Sequence, residues 1–173
     1  QDTGSKVLLN SIGYNNVTVS GDTRFDRVGN QINSDNTLDF IAEFKNNKTC
    51  VVAGSTWPED EVLLIDYINN SKDDVKFVVA PHNMDSNQIK SMTQLIQKPT
   101  VLYSNYKNKT LVDKSVFVVD TIGILTKIYN YADIAYIGGA MGTTGLHNTL
   151  EAATFGVPIV IGKNHKNFPE AKA

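Results

Sequence analysis

The residues best suited to chemistry lie in Gly138-Gly139-Ala140-Met141-Gly142-Thr143-Thr144-Gly145 and in the following Leu146-His147-Asn148-Thr149-Leu150-Glu151-Ala152-Ala153. Glycines allow positive φ and let a ligand approach the backbone closely. Thr143 or Thr144 can cap a helix that follows. A helix start behind such a loop gathers free amides and a positive dipole end, which suits a phosphate. At about 100° per residue, Leu146, Leu150 and Ala153 share a face that can pack on a sheet, while His147, Asn148 and Glu151 share another. An imidazole and an amide can bond phosphate oxygens, and a carboxylate one turn on can accept from the vicinal hydroxyls of a ribose. Each residue alone has a plainer use: Glu151 can complement the dipole, His147 can be solvated, and the glycines can merely turn. Their convergence favours a ligand, with Gly139, Thr144, Gly145, His147, Asn148 and Glu151 as candidate contacts. The dinucleotide fingerprint Gly-x-Gly-x-x-Gly with its distal acid is absent.

Three other segments share this placement just after an apolar run. Gly54-Ser55-Thr56-Trp57-Pro58 precedes the acids Glu59, Asp60 and Glu61. It reads as a capped helix start with Pro58 in the first turn, leaving Ser55 and Thr56 to an anion. Pro81-His82-Asn83 places His82 where it could pair with phosphate or simply be solvated. In Asp120-Thr121-Ile122-Gly123, Asp120 is a potential helix cap, and Ile122 with Gly123 offers a flat apolar surface for a base. The three histidines show no metal-ligand spacing. Neither a Gly-x-Ser-x-Gly elbow nor a Walker lysine is found.

The elements that must position these residues follow from periodicity. Apolar runs cover Val17–Val19, Thr49–Ala53, Lys76–Ala80, Thr100–Tyr103, Val116–Val119, Ile134–Ile137 and Pro158–Ile161. Continuous runs rich in valine and isoleucine read as strands covered on both faces. Helical stripes lie between them: Leu38, Ile41, Ala42; Leu64, Ile65, Ile68; Ile89, Met92, Ile96; and Ile122, Leu125, Ile128, Tyr129. Alternation of this kind predicts βαβ crossovers in a doubly wound, Rossmann-like parallel sheet, with ligands beyond the carboxyl ends of the strands. Residues 1–173 are expected to form one domain.

Composition bounds the function. With 41% apolar and 20% charged residues, the chain has the makings of an ordinary globular core. A formal net charge of -2 gives no basic field for nucleic acid or an anionic membrane. Cys50 is the one cysteine, so neither a disulfide nor a thiolate metal site is available, and its valine neighbours predict a buried thiol. No apolar run approaches the roughly 20 residues of a membrane span. Gln1–Ser5 reads as the start of a helix and Asn167–Ala173 as a helix cut short, so the chain is expected to be a piece of a longer protein.

The run from Gly138-Gly139 through Gly145-Leu146-His147-Asn148-Thr149-Leu150-Glu151 to Gly156-Val157-Pro158 resembles the C-terminal domain of the transferases of 3-deoxy-D-manno-octulosonic acid (Kdo). Gly21-Asp22-Thr23-Arg24-Phe25-Asp26, Gly54–Pro58, Asp120–Gly123 and Asn167-Phe168-Pro169-Glu170-Ala171 match segments of that family in the same order. The resemblance covers essentially the whole chain. It implies the donor-binding half of a two-domain GT-B glycosyltransferase that moves Kdo from CMP-Kdo to a lipid A precursor at the cytoplasmic face of the bacterial inner membrane. It further implies that Asn148 and the amides of Thr144–His147 hold the CMP phosphate and that Glu151 takes the ribose. Ile122 with Gly123 would line the cytosine pocket, and Ser55 and Thr56 would face the phosphate or the Kdo carboxylate.

The catalytic base, the acceptor groove and the membrane contact would belong to an N-terminal domain outside this chain, which alone would bind donor without transferring it. That scheme requires no cofactor and no metal. Two departures stand out: the family's Pro-Arg-His loop reads Pro81-His82-Asn83 here, and Ile124 replaces the acid that follows Asp-Thr-x-Gly. The alternatives are another GT-B enzyme or a sugar-nucleotide epimerase using a UDP sugar, or a nucleotide-binding module without catalysis. A diphosphate donor calls for more positive charge than the loop supplies.

Overall fold

The computed structural model describes residues 2–166, 168 and 171. The helix expected over Asn167–Ala173, with Asn167, Pro169 and Glu170 of the matching motif, lies outside the described residues apart from Phe168 and Ala171. The chain divides into two compact units, Gln1–Asp35 and Asn36–Ala173. No helix among the described residues is long and apolar enough to cross a membrane.

The first unit carries α1 (Thr3–Ser11) and α2 (Thr23–Gly29). Asp2 caps α1 by accepting from the Ser5 amide at 2.8 Å. Asp22 caps α2 through the Arg24 amide at 2.9 Å and also pairs with the Arg24 guanidinium at 2.7 Å. Val17–Val19, expected as a strand, is irregular backbone. Its three residues stand among Asn15, Asn16 and Ser20, and Val19 is exposed, so the apolar run is too short and too polar in setting to join a sheet.

The second unit is a six-stranded sheet in the order β3-β4-β2-β1-β5-β6, with every pairing parallel. The strands are β1 (Thr49–Thr56), β2 (Val75–Pro81), β3 (Thr100–Leu102), β4 (Val116–Val118), β5 (Ile134–Ile137) and β6 (Ile159–Ile161). These are the six remaining apolar runs, and the Val/Ile-rich centres of β1, β2 and β4 are fully covered.

Two layers of side chains cover the two sheet faces. One includes Ile41 and Phe44 from α3 (Asp39–Lys45), Ile128 from α6 (Leu125–Ile128) and Ala152 from α7 (Leu150–Ala153), packed on Val52, Val78 and Phe117. The other includes Ile68 from α4 (Pro58–Asn70) and Ile89 and Met92 from α5 (Ser86–Leu95), packed on Phe77, Val79 and Val118. Cys50 is buried as its neighbours predict, and burial pushes its thiol up to about 12.

Two expected helices are shorter than their stripes. The Ile122–Tyr129 stripe yields only α6, continued by a 3₁₀ turn at Tyr129–Tyr131. Ile122 lies outside it at 84% exposure, cut off by Gly123 at φ +96°. Asp120 does not cap this helix; its carboxylate accepts from the Ser104 amide at 2.8 Å.

The helix expected from Leu146 begins only at Leu150. Gly145 stands at φ +97°, and the His147 amide donates to the Gly138 carbonyl at 3.1 Å instead of entering a helical ladder. The Asn148 side chain then accepts from the Leu150 amide at 3.1 Å, a local bond that competes with earlier helix formation. The late start shifts the packed face: Leu146, Leu150 and Ala152 are buried, whereas Ala153 is exposed.

Candidate functional site

The loops after β1, β2, β4 and β5 converge at the carboxyl end of the sheet, and Asp60 ties two of them together. It lies at the third position of α4, with Pro58 at the first as the sequence predicts. One carboxylate oxygen accepts from the Trp57 amide at 2.9 Å and the Gly139 amide at 2.8 Å, and the other from the Tyr136 hydroxyl at 2.6 Å. Asp60 is fully buried, which it can be only because these donors satisfy the charge. Burial, with the Asp60 bond and charge adding to it, pushes the Tyr136 phenol well above its ordinary value.

The glycine loop requires its glycines. Gly139 and Gly145 both adopt left-handed φ, at +95° and +97°. A Cβ on Gly138 would run into the Ser55 carbonyl oxygen. Ser55 itself sits at φ +54°, where the β1–β2 register breaks between Gly54 and Thr56. A non-glycine residue in that region costs roughly 1–2 kcal/mol, and strain of this sort gathers at ligand sites. Thr144 caps no helix; its hydroxyl donates to the Gly139 carbonyl at 3.2 Å. A cavity of about 380 Å³ opens beside the loop, lined by Gly142, Thr143, Gly145, Asn164 and Phe168.

His147, Asn148 and Glu151 do not share one helical face, because the backbone before Leu150 is not helical. The structure keeps Asn148 with Glu151 and sends His147 elsewhere. The Asn148 amide donates to Glu151 Oε1 at 3.2 Å, and the Thr126 hydroxyl donates to Oε2 at 3.0 Å. A carboxylate has about four lone-pair sites, so two acceptor positions remain after these bonds. His147 lies instead among rings: its centroid is 4.4 Å from that of His82, and Trp57 Nε1 donates to its Nε2 at 2.8 Å. His82 is exposed and stacks on Trp57 at 4.6 Å between centroids and 19° between planes. Ile122 and Gly123 are exposed on the loop after β4.

Thr56 departs from expectation. It is buried, and its hydroxyl donates inward to Glu61 Oε1 at 3.1 Å, so of the pair only Ser55 retains partial exposure. Glu61 is itself buried, and burial is the main cause that raises its carboxyl above the ordinary value, against the hydrogen bonds of Gln88 and Thr56. A raised folded-state value means that stability is fully present below the unfolded value and is lost as pH rises through the folded one. Glu61→Gln is therefore expected to flatten the fall in stability between about pH 4 and neutrality, because a neutral amide has no charge to bury. Urea midpoints at pH 4 and 7 check this, and parallel pH profiles of the two proteins would contradict it.

Four partners could not be found by spacing. In sequence Asp60 is one of three acids after Pro58 and Trp57 precedes that proline, while nothing in the spacing singles out Thr126, within α6, or Asn164, in the loop after β6. Asn164, which bonds the Met141 and Gly142 carbonyls at 3.2 and 2.7 Å, braces the glycine loop from after β6.

A parallel sheet flanked on both faces by helices, with its loops gathered at one end, makes this a Rossmann-like α/β domain. Its fold matches a crystal structure of the C-terminal CMP-Kdo binding domain of WaaA from Acinetobacter baumannii, with TM-score 0.65 and 21% identity over 87% of this chain and 77% of that one. In sequence the chain is similar to the 3-deoxy-D-manno-octulosonic acid transferases. It is 28% identical to that of Rickettsia bellii over 95% of its own length, and 26% identical to that of Haemophilus influenzae over 98%. A bifunctional glycosyltransferase/methyltransferase of Fusobacterium nucleatum is 31% identical over 67% of the chain. No protein-family model matches the chain. The chain spans 40% of the Rickettsia bellii protein, 41% of the Haemophilus influenzae protein and 18% of the Fusobacterium nucleatum protein.

Proposed function

We propose that residues 1–173 are the donor-binding half of a two-domain GT-B glycosyltransferase and that their ligand is CMP-Kdo. The observation that carries the reading is the Glu151 carboxylate, aimed by Asn148 and Thr126 beside a strained glycine loop at the carboxyl end of the sheet. Glu151 takes the ribose hydroxyls. Asn148 and the amides of Thr144–Leu146 take the phosphate, with Gly139 and Gly145 setting the loop that holds them; the His147 amide, which the resemblance included, is engaged by the Gly138 carbonyl at 3.1 Å. Ile122 and Gly123 supply the apolar surface for cytosine, and Ser55 lies toward the sugar. His82 takes the place of the family arginine. Thr56 acts from behind, fixing the β1–α4 turn through Glu61 rather than touching the ligand.

The short α7 moves the source of positive potential. A four-residue helix has little dipole. The anion site therefore rests on loop amides, which supply hydrogen-bond donors without formal charge. Among the described residues, two acids pack against the loop, Asp60 on the Gly139 amide and Glu59 against Gly142. That balance favours a monophosphate nucleotide over the diphosphate of a UDP sugar.

In the parent enzyme a hydroxyl of the lipid A precursor attacks the anomeric carbon of Kdo. A base from the other domain accepts its proton, and the bond to CMP breaks as the loop donors stabilise the departing phosphate. The acceptor groove and the membrane contact belong to that other domain, at the cytoplasmic face of the bacterial inner membrane. Equilibrium dialysis with CMP-Kdo, followed by incubation with a lipid A precursor, tests the division of labour. Donor retention without transfer is the expected result. Transfer by this chain alone would show that the base lies within it, and failure to retain CMP-Kdo would contradict the donor assignment.

A further inference from the structure

We propose that Trp57 is a positioning residue that holds His147 in its neutral Nδ1–H tautomer, so that the ring presents one directed N–H donor to the nucleotide phosphate. The phosphate part of this inference rests on the donor-site reading above; the tautomer part does not. The indole N–H can only donate, so a 2.8 Å bond from Trp57 Nε1 to His147 Nε2 requires that nitrogen to carry a lone pair. The proton of the neutral ring then lies on Nδ1. The two ring planes are 16° apart with centroids at 6.2 Å, a spacing compatible with an edge-on N–H···N bond. The backbone is fixed as well, since the His147 amide donates to the Gly138 carbonyl at 3.1 Å.

The surroundings oppose a second proton on this ring. Protonated Nε2 would set N–H against N–H and break the bond to Trp57. It would also place a cation against the His82 ring, at 4.4 Å between centroids. Burial, then His82, lower the His147 value, while Asp60 and Glu151 pull the other way with less effect. With Trp57 stacked on His82 and bonded to His147, one aromatic side chain sets the orientation of both imidazoles in the site. A histidine held this way offers the phosphate a neutral donor with a fixed direction.

Long-range proton–nitrogen correlation spectra of the ligand-free chain read the tautomer directly. The expected result is a proton on Nδ1 of His147 in the wild type. In Trp57→Phe the expected result is loss of that preference, a His147 titration moved up toward the ordinary range, and a three- to tenfold weaker affinity for CMP, the effect of misdirecting one hydrogen bond. A wild-type proton on Nε2 would overturn the inference without any variant, as would an unchanged tautomer in Trp57→Phe. An altered tautomer with unchanged CMP affinity would overturn the positioning role. If the tautomer is as stated but wild-type chain binds no CMP, the donor-site reading fails, and the role toward phosphate fails with it.

Discussion

Replacing Glu151 with alanine is expected to weaken CMP binding by ten- to a hundredfold. A charged hydrogen bond contributes about 1.5–3 kcal/mol, and a ribose diol meeting one carboxylate makes two such bonds. Part of that is recovered by water in the variant, which leaves one to two decades of affinity. Both carboxylate oxygens are already oriented, by Asn148 at 3.2 Å and Thr126 at 3.0 Å, so little ordering is lost when the diol binds. Glu151→Gln keeps one carbonyl acceptor but turns an amide toward a hydroxyl, and about tenfold is expected there. Titration calorimetry at neutral pH measures both. A loss below threefold for Glu151→Ala would remove this residue from the ribose contact.

Asp60→Ala is expected to have the largest effect on stability, about 3 kcal/mol by urea unfolding. The carboxylate is fully buried and accepts from three donors: the amides of Trp57 and Gly139, and the Tyr136 hydroxyl. Removing it strands those donors away from water, and each unsatisfied buried group costs about 1–3 kcal/mol before relaxation recovers some of it. Function should suffer separately, because Asp60 is what joins the β1–α4 turn to the glycine loop. CMP affinity measured on protein that is still folded should fall as well. A destabilisation under about 1 kcal/mol would mean that the donors find other partners and that the two loops do not depend on this tie.

The sheet was largely legible in the sequence because its strands are covered on both faces and so appear as unbroken Val/Ile runs. Thr49–Ala53 and Lys76–Ala80 are examples, both lying in the buried centre of the sheet. Val17–Val19 mimicked that pattern over three residues, and without a partner strand the mimicry has no structural consequence. The site was legible as a region rather than as an arrangement. Periodicity assumes a helix from Leu146, and it then groups His147 with Asn148 and Glu151.

The chain instead keeps Gly145 left-handed, bonds the His147 amide back to Gly138 and uses Asn148 to start the helix late. Those are side-chain-to-backbone and loop-to-loop bonds, which spacing cannot weigh. The same limit hid Asp60 and Trp57, whose partners come from β5 and the loop after it, about 80 to 90 residues away. Thr56 shows the reverse case, a residue with the right chemistry whose hydroxyl the fold turns inward.

This domain by itself is expected to recognise a cytidine nucleotide. Calorimetric titration of the chain with CMP, against UMP and AMP, tests it most directly. Saturable binding selective for CMP, and weakened by Glu151→Ala, is the predicted result. Equal binding of all three nucleotides, or none, would contradict it.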